Sequence, residues 1–171
     1  MKPSQVAKFL IFGYFATFIL VIIAFGVYWY KFRKAPVQPI NFSHRLHTTT
    51  VGLQCTYCHR YGDKGLTPGV PEVSVCMNCH KSVKVNSPEI IKLTKYWNEK
   101  QPVPWIQVHH LPEHVYFPHK RHVRAGVACE TCHGDVKGMD RIYQARSLEM
   151  GWCVTCHRAN KAPTDCWTCH K

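Results

Sequence analysis

The cysteines constrain this chain more than any other feature. All ten stand in one motif, C-x-x-C-H, which occurs five times in 171 residues and leaves no cysteine over. In each motif the two thiols are spaced to form thioether bonds with the two vinyl groups of one haem, and the histidine that follows is placed to bind the iron. These motifs, which we call pentads, lie at residues 55–59, 76–80, 129–133, 153–157 and 166–170.

The pentads therefore predict five covalently bound haems c. The predicted attachment residues are Cys55, Cys58, Cys76, Cys79, Cys129, Cys132, Cys153, Cys156, Cys166 and Cys169. The predicted proximal iron ligands are His59, His80, His133, His157 and His170. Zinc sites do not place a histidine directly after the second cysteine every time. A disulfide framework has no reason to do so either.

The number of haems limits the fold. Outside the apolar N-terminal segment, five haems leave fewer than about 30 residues for each cofactor, too few for a continuous aliphatic core. We expect the porphyrins to form much of the core. The predicted fold is a multihaem cytochrome c, mostly coil with short α-helices packed around five haems, preceded by one transmembrane helix.

The formal charge of the polypeptide is +12. Such a charge on a bare chain would suggest a nucleic acid or an anionic membrane surface as partner. Two propionates on each of five haems add a charge of about −10, while the ferric centres restore about +5, so the loaded protein is only mildly basic. We therefore predict no nucleic-acid partner.

A long uncharged segment precedes the pentads. Residues 9–30 are rich in Phe, Ile, Leu and Val, and as a helix they span about 33 Å, enough to cross a bilayer once. Tyr28, Trp29 and Tyr30 stand where an interfacial aromatic belt belongs, and basic residues follow. The alternative is a cleaved signal peptide, but the run is long for one and no small-residue cleavage site follows it. We predict an uncleaved signal anchor.

The orientation of this anchor follows from haem chemistry rather than from charge. Two lysines precede it and three basic residues follow it, so a count of positive charges alone favours the opposite topology. Haem is attached on the outer face of bacterial membranes, so the pentads must be translocated. We predict a cytoplasmic N-terminus at 1–8, a linker at 31–40 and a periplasmic pentahaem domain at 41–171, held by a single pass at the bacterial inner membrane.

The domain contains an internal repeat. The pattern F-x-H-x-x-H occurs at residues 42–47 and 117–122, each time followed by two pentads. The predicted repeat units are 41–81 and 116–158, with a terminal haem site at 166–170. Two histidines at i and i+3 on a helical turn can reach two neighbouring haems. The predicted distal iron ligands are His44, His47, His119 and His122.

The terminal haem has no such histidine pair of its own. The candidates for its sixth ligand are His109, His110, His114 and Met150. The sequence favours His109 or Met150, with a slight preference for the histidine because the other predicted ligands are imidazoles. A thioether ligand would raise the potential of this haem above that of its neighbours.

Haems with six ligands offer no open position for a substrate, so a series of them conducts electrons while catalysis takes place elsewhere. We predict an electron-transfer subunit that is not an enzyme on its own. The alternative is a membrane-anchored multihaem quinol dehydrogenase, or a reductase with one open haem. Such a haem often carries a C-x-x-C-K motif, and the ten cysteines here form none.

Longer motifs carry a family resemblance. They are F-S-H-x-x-H at 42–47, V-P-E-V-S-V-C-M-N-C-H at 70–80, V-H-x-L-P-x-x-V-Y-F-x-H-x-x-H-V at 108–123 and M-G-W-C-V-T-C-H at 150–157. Together with the anchor they resemble the pentahaem cytochrome c subunit of bacterial alternative complex III. The resemblance implies a quinol-oxidising complex with iron-sulfur and integral membrane subunits as partners. It also implies that electrons pass to a monohaem cytochrome or another periplasmic carrier.

Overall fold

The computed structural model describes residues 3–33 and 35–171, and for residues 31–33 the backbone alone. The chain forms two compact units, Met1–Lys34 and Ala35–Lys171. Three of the basic residues that flank the predicted anchor, at positions 31, 33 and 34, have side chains outside the described part, and so does Lys2.

The first unit is one helix, α1, which runs over Pro3–Arg33. A proline at the first helical position suits a helix start, because that residue has no intrahelical partner for its N–H. The stretch Pro3–Tyr30 has a mean hydropathy of 2.6, and none of its most apolar window is buried. Length and composition therefore suit a membrane span, although a signal sequence near an N-terminus has the same properties.

The second unit, Ala35–Lys171, contains short helices joined by coil. They are α2 Cys55–Cys58, α3 Val73–His80, α4 Pro88–Asn98, α5 His119–Arg124, α6 Cys129–His133, α7 Met150–Ala159 and α8 Cys166–Cys169. A π-helical turn at Leu46–Thr50 and a 3-10 turn at Val136–Gly138 complete the elements. Over residues 35–171 no strand forms, and the one isolated bridge pairs Val115 with His170. The predicted coil with short helices is confirmed.

The aliphatic core is small. It consists of Ile40, Met77, Leu93 and Val103, all at most 9 % exposed. Met77 lies on α3 and Leu93 on α4, so this cluster holds the two helices together. Helix α4 begins with a proline at its first turn, which favours a helix start.

The connector that follows α1 belongs to the second unit. Ile40 is only 6 % exposed. The Gln38 amide donates to the Ile106 carbonyl and accepts from the Ile106 N–H, both at 2.8 Å, and the Asn41 N–H donates to a Glu89 carboxylate oxygen at 2.7 Å. The compact unit therefore begins at Ala35, earlier than the predicted boundary at residue 41, because burial of Ile40 gives the connector a fixed place.

The two repeat units exchange main-chain hydrogen bonds in a symmetric way. In the first, the Arg45 N–H donates to the Met139 carbonyl at 3.0 Å, in the loop after pentad 129–133. In the second, the His119 and Lys120 N–H groups donate to the carbonyls of Leu66 and Gly65 at 3.0 and 3.1 Å, in the loop after pentad 55–59. Each F-x-H-x-x-H turn therefore packs against the loop that follows the first pentad of the other unit.

Candidate haem-binding site

Each pentad folds as a helical turn. Pentads 55–59, 129–133 and 166–170 form α2, α6 and α8, and the other two lie within α3 and α7. Residues three apart on a helix lie on the same face, so both thiols of a pentad can approach one porphyrin edge. All ten cysteines are free thiols.

The proximal histidines are oriented by main-chain carbonyls. The Nδ1–H group of His59 donates to Gly69 at 2.7 Å, that of His80 to Val83 at 3.1 Å, and that of His157 to Pro163. Such a bond places the proton on Nδ1 and leaves Nε2 free as a metal ligand. The chemistry of the donor set thus matches iron ligation.

The remaining two proximal histidines have different partners. The Nδ1–H group of His170 donates to the His114 carbonyl at 3.4 Å. Nδ1 of His133 lies 3.2 Å from Nε2 of His109. In both residues Nε2 is again the nitrogen left for a metal.

The two distal turns, residues 42–47 and 117–122, have nearly the same geometry. In the first, the ring centre of Phe42 lies 4.8 Å from His44 at 89° and 4.3 Å from His47 at 26°. In the second, the corresponding distances are 4.8 Å and 4.3 Å, at 90° and 29°. The leading phenylalanine therefore sets the angle between the two imidazoles of each turn.

Three of the four predicted distal ligands also donate Nδ1–H to a carbonyl. His47 bonds Ser43 at 2.8 Å, His119 bonds Leu66 at 2.8 Å and His122 bonds Pro118 at 3.2 Å. Nδ1 of His44 is buried and has no hydrogen-bond partner among the described residues. A buried polar atom without a partner is costly in a folded protein, and iron ligation through Nε2 would give this imidazole a polar interaction at its other nitrogen.

The distal histidines face proximal ones. The ring centres lie 6.2 Å apart for His47 and His80, and 6.4 Å apart for His119 and His133. A metal–nitrogen distance of about 2 Å puts an imidazole centre about 3 Å from the metal, so two rings on opposite sides of one metal lie about 6 Å apart. These separations fit two axial ligands of one iron.

A further pair lies in the second repeat unit. The ring centres of His122 and His157 are 6.0 Å apart, again the separation that two axial ligands require. For His44 the only sign of a proximal partner is that His59 adds to the lowering of the His44 pKa. That each distal turn serves both pentads of its own unit stays a prediction.

The terminal pentad faces His114. The ring centres of His114 and His170 are 5.3 Å apart, with 24° between their planes. An antiparallel bridge joins Val115 to His170, and the Tyr116 N–H donates to the Cys169 carbonyl at 2.7 Å. The main chain thus fixes His114 beside the terminal site.

The two residues preferred from the sequence lie elsewhere. His109 packs edge-on against His133, with ring centres 4.4 Å apart. Met150, the first residue of α7, is 67 % exposed. The fourth candidate, His110, donates its Nε2–H group to the Gln107 carbonyl at 3.0 Å, so its nitrogen on the ligand side is occupied. No local sequence signal distinguishes His114, because its contact with residue 170 is made through the bridge.

Burial keeps the central imidazoles neutral. It lowers the pKa of His44 and of His133 to about 4, with nearby histidines adding to the shift. Burial also lowers the pKa of His109 and His122. A neutral imidazole is the form that binds a metal, so these rings are ready for ligation at neutral pH.

Burial raises the pKa of the thiols of Cys76, Cys129, Cys132 and Cys153, and neighbouring thiols add to the rise. These neighbours are Cys58 for Cys76, Cys55 for Cys129, Cys153 and Cys156 for Cys132, and Cys169 for Cys153. In sum, the free thiols and the imidazoles with free Nε2 atoms fit covalently bound haem.

Comparisons with known proteins agree with this chemistry. Residues 30–110 match the class III cytochrome C family, and residues 115–171 match cytochrome c7 and related cytochrome c. The chain is 27 % identical over 184 residues to the multihaem cytochrome c subunit of menaquinone reductase from Nitratidesulfovibrio vulgaris, which covers 90 % of this chain and 87 % of that protein. It is 36 % identical over 56 residues to cytochrome c3 of Desulfuromonas acetoxidans, covering 33 % of this chain and 79 % of that protein.

Fold, donor set and comparisons define a multihaem cytochrome c. The chain is similar to the class III cytochromes over residues 30–110 and to cytochrome c7 and related cytochromes over residues 115–171. The predicted multihaem character is thereby confirmed. The narrower resemblance to the subunit of alternative complex III stays a prediction.

Proposed function

We propose that this chain is the electron-transfer subunit of a membrane quinone oxidoreductase complex and that it binds five haems c. The observation that carries the proposal is the set of paired imidazoles. Three proximal histidines, His80, His133 and His157, face a second histidine at about the separation that two axial ligands require, and a fourth, His170, lies closer to its neighbour, 5.3 Å from His114. Haem supplies one-electron redox chemistry when bound. A site with two imidazole ligands has no position for a substrate.

Each residue set has a defined task in this proposal. The ten pentad cysteines hold the haems covalently, and the pentad histidines bind the irons from the proximal side. His44, His47, His119 and His122 bind four irons from the distal side. The geometry around His170 supports His114 as the fifth distal ligand, in place of His109 or Met150.

The direction of electron flow has two candidates. The resemblance to the alternative complex III subunit favours flow from membrane quinol to a periplasmic acceptor, such as a monohaem cytochrome. The similarity to a menaquinone reductase subunit over most of both chains favours the reverse, from a periplasmic donor to the quinone. In both cases iron-sulfur and integral membrane subunits are the expected partners, and catalysis at the quinone takes place outside this chain.

The predicted topology completes the proposal. Residues 9–30 anchor the chain in the bacterial inner membrane, and the haem domain lies on the periplasmic face. A cysteine introduced at Ser4 should react with a thiol reagent only after the membrane is permeabilised. Labelling from the periplasmic side would overturn this topology, and an N-terminus that begins after residue 30 in the mature protein would show a cleaved signal instead.

The haem count and spin state test the main proposal. Mass spectrometry of the intact mature chain should give the polypeptide plus five haems, and a mass with four or fewer would overturn that number. Electron paramagnetic resonance of the oxidised protein should show low-spin ferric signals. A high-spin signal from one haem would favour the alternative, a reductase with an open site.

A further inference from the structure

The five proximal histidines differ in the group that accepts their Nδ1–H bond. Four of them donate to main-chain carbonyl groups, namely His59, His80, His157 and His170. The fifth, His133, has no carbonyl partner among the described residues, and its Nδ1 lies 3.2 Å from Nε2 of His109. We propose that His109 is a positioning residue that accepts this bond and thereby lowers the reduction potential of the haem at pentad 129–133. The inference rests on the proposed haem at that pentad.

The geometry places His109 behind the ligand rather than at the iron. Nδ1 and Nε2 of an imidazole point in different directions, so a group bonded to Nδ1 leaves Nε2 of His133 open for the metal. The other side of this iron site faces His119, whose ring centre lies 6.4 Å from that of His133 with 13° between the planes. His109 instead meets His133 edge-on, with ring centres 4.4 Å apart at 82°. His109 therefore contacts the ligand and not the metal.

The direction of the hydrogen bond follows from the role of each ring. His133 binds iron through Nε2, so its proton is on Nδ1, and Nε2 of His109 must accept that proton's bond. Burial lowers the pKa of both residues. At neutral pH His109 is therefore uncharged and has a lone pair with which to accept.

The segment that carries His109 is fixed by polar contacts of its own. The Gln38 amide makes two bonds of 2.8 Å to the Ile106 main chain. The Gln107 side-chain amide donates to the His109 carbonyl at 2.8 Å, and the Nε2–H group of His110 donates to the Gln107 carbonyl at 3.0 Å. The His109 imidazole is thus placed by the segment between the two repeat units, independently of the pentad that it contacts.

The acceptor decides how strongly the bond polarises the ligand. An imidazole nitrogen, with a pKa of about 6.5 for its protonated form, is a much stronger base than a main-chain carbonyl oxygen. A stronger acceptor makes the ligating imidazole more basic, which favours the ferric over the ferrous state and lowers the potential. His59 occupies the same place in the first repeat unit and donates to the Gly69 carbonyl at 2.7 Å. The first pentads of the two units therefore differ in the acceptor of this bond.

Replacement of His109 in the full-length haem-loaded protein tests the proposal. His109→Leu removes the acceptor, so the potential of one haem should rise while every haem stays low-spin. His109→Gln offers an amide oxygen in place of the imidazole nitrogen, so the rise should be smaller. The matched control, His110→Gln, lies in the same segment and should leave all potentials at their wild-type values. A redox titration followed by electron paramagnetic resonance measures potential and spin state together.

The haem that shifts should be the one whose other axial ligand is His119. His119→Met marks that haem, because a methionine ligand gives it a charge-transfer band in the near infrared. Adding His109→Leu to this variant should raise the potential of the marked haem. Unchanged potentials in both His109 variants, or a shift confined to another haem, would overturn the proposal. A high-spin haem in His109→Leu would also overturn it, since His109 would then be an iron ligand itself.

The wild-type protein gives a measurement that does not depend on a variant folding. Low-spin ferrous haems are diamagnetic, so nitrogen-15 magnetic resonance of the fully reduced protein can detect couplings across hydrogen bonds. One proximal Nδ1–H group should couple to a second nitrogen, whereas the four bonds to carbonyl oxygens should give no such coupling. A count below five haems would refute the proposed function. Five low-spin haems without this nitrogen–nitrogen coupling would refute the role of His109 alone.

Discussion

The two repeat units and the terminal site differ in how they place a second imidazole near a proximal histidine. Each unit places two imidazoles on one short turn, with a phenylalanine that holds both rings at nearly equal distances in the two copies. The terminal site has no such turn, and His114 reaches His170 through a bridge between distant segments. The ligand pair of a repeat unit therefore forms within a single turn. The terminal pair forms only when the segments around residues 114 and 170 have come together.

The largest difference between a repeat unit and the terminal site is expected when the two cysteines of a whole pentad are removed. The double variant Cys129→Ala and Cys132→Ala should lose one haem and fail to accumulate, because the loop after this pentad bonds the distal turn of the other repeat unit. The matched variant Cys166→Ala and Cys169→Ala should keep four haems and fold. Haem per chain and the yield of folded protein measure both outcomes. Equal yields would contradict the central role of the first site.

Removal of the distal ligand at the terminal site should have the next largest effect. His114→Ala should convert one of the five haems to a high-spin form, since the iron loses its sixth ligand. The matched variants His109→Ala and Met150→Ala should remain fully low-spin. Electron paramagnetic resonance of the oxidised proteins gives the result. A high-spin signal in either control, but not in His114→Ala, would identify the residue replaced in that control as the sixth ligand of the terminal haem.

Replacement of the leading phenylalanines should test whether the two turns are equivalent. Phe42→Leu and Phe117→Leu keep an apolar side chain but remove the ring contacts, which are worth about 0.5–1.5 kcal/mol in aromatic pairs. We expect the two variants to lower the free energy of unfolding by similar amounts, because their ring distances match. Denaturant titration of the haem-loaded protein measures this. A large difference would show that the copies are not equivalent.

The smallest effect is expected at the surface contacts between the units. Arg45→Gln removes the ion pair with Asp140 at 2.8 Å, whose side chains are 61 % and 56 % exposed. Exposed pairs contribute little and are screened by salt, so Tm should fall slightly at low salt and not at high salt. Arg124→Gln, which removes a bond to the Asp63 carbonyl in the other unit, provides the comparison. A fall that persists at high salt would indicate a contact beyond the ion pair.

Much of the site could be predicted from the sequence because its chemistry is local. The pentads, the F-x-H-x-x-H turns and their assignment to separate units depend on spacings of a few residues. The helices are short, as the low number of residues per haem implied. The i, i+3 spacing predicted only that the two histidines of a turn can reach two neighbouring haems, and the structure places His47 opposite His80 and His122 opposite His157.

The features that the sequence could not supply are long-range contacts. His114 pairs with the terminal site only because Val115 bridges to His170, which lies 55 positions further along the chain. The connector looked like free linker because its two prolines interrupt any periodic pattern, yet Gln38 and Ile40 bind to segments far along the chain. The exchange of contacts between the units also has no signature in local spacing.

The small aliphatic core has a consequence for how the protein is made. Among the described residues only Ile40, Val75, Met77, Leu93, Val103 and Met139 are buried hydrophobic side chains. So few residues cannot stabilise a domain of this size unless a bound group adds to the burial. The newly made chain should therefore become stable only when its haems are attached. A chain without its haems should be degraded by proteases. Chains that carry only some of their haems should therefore not accumulate.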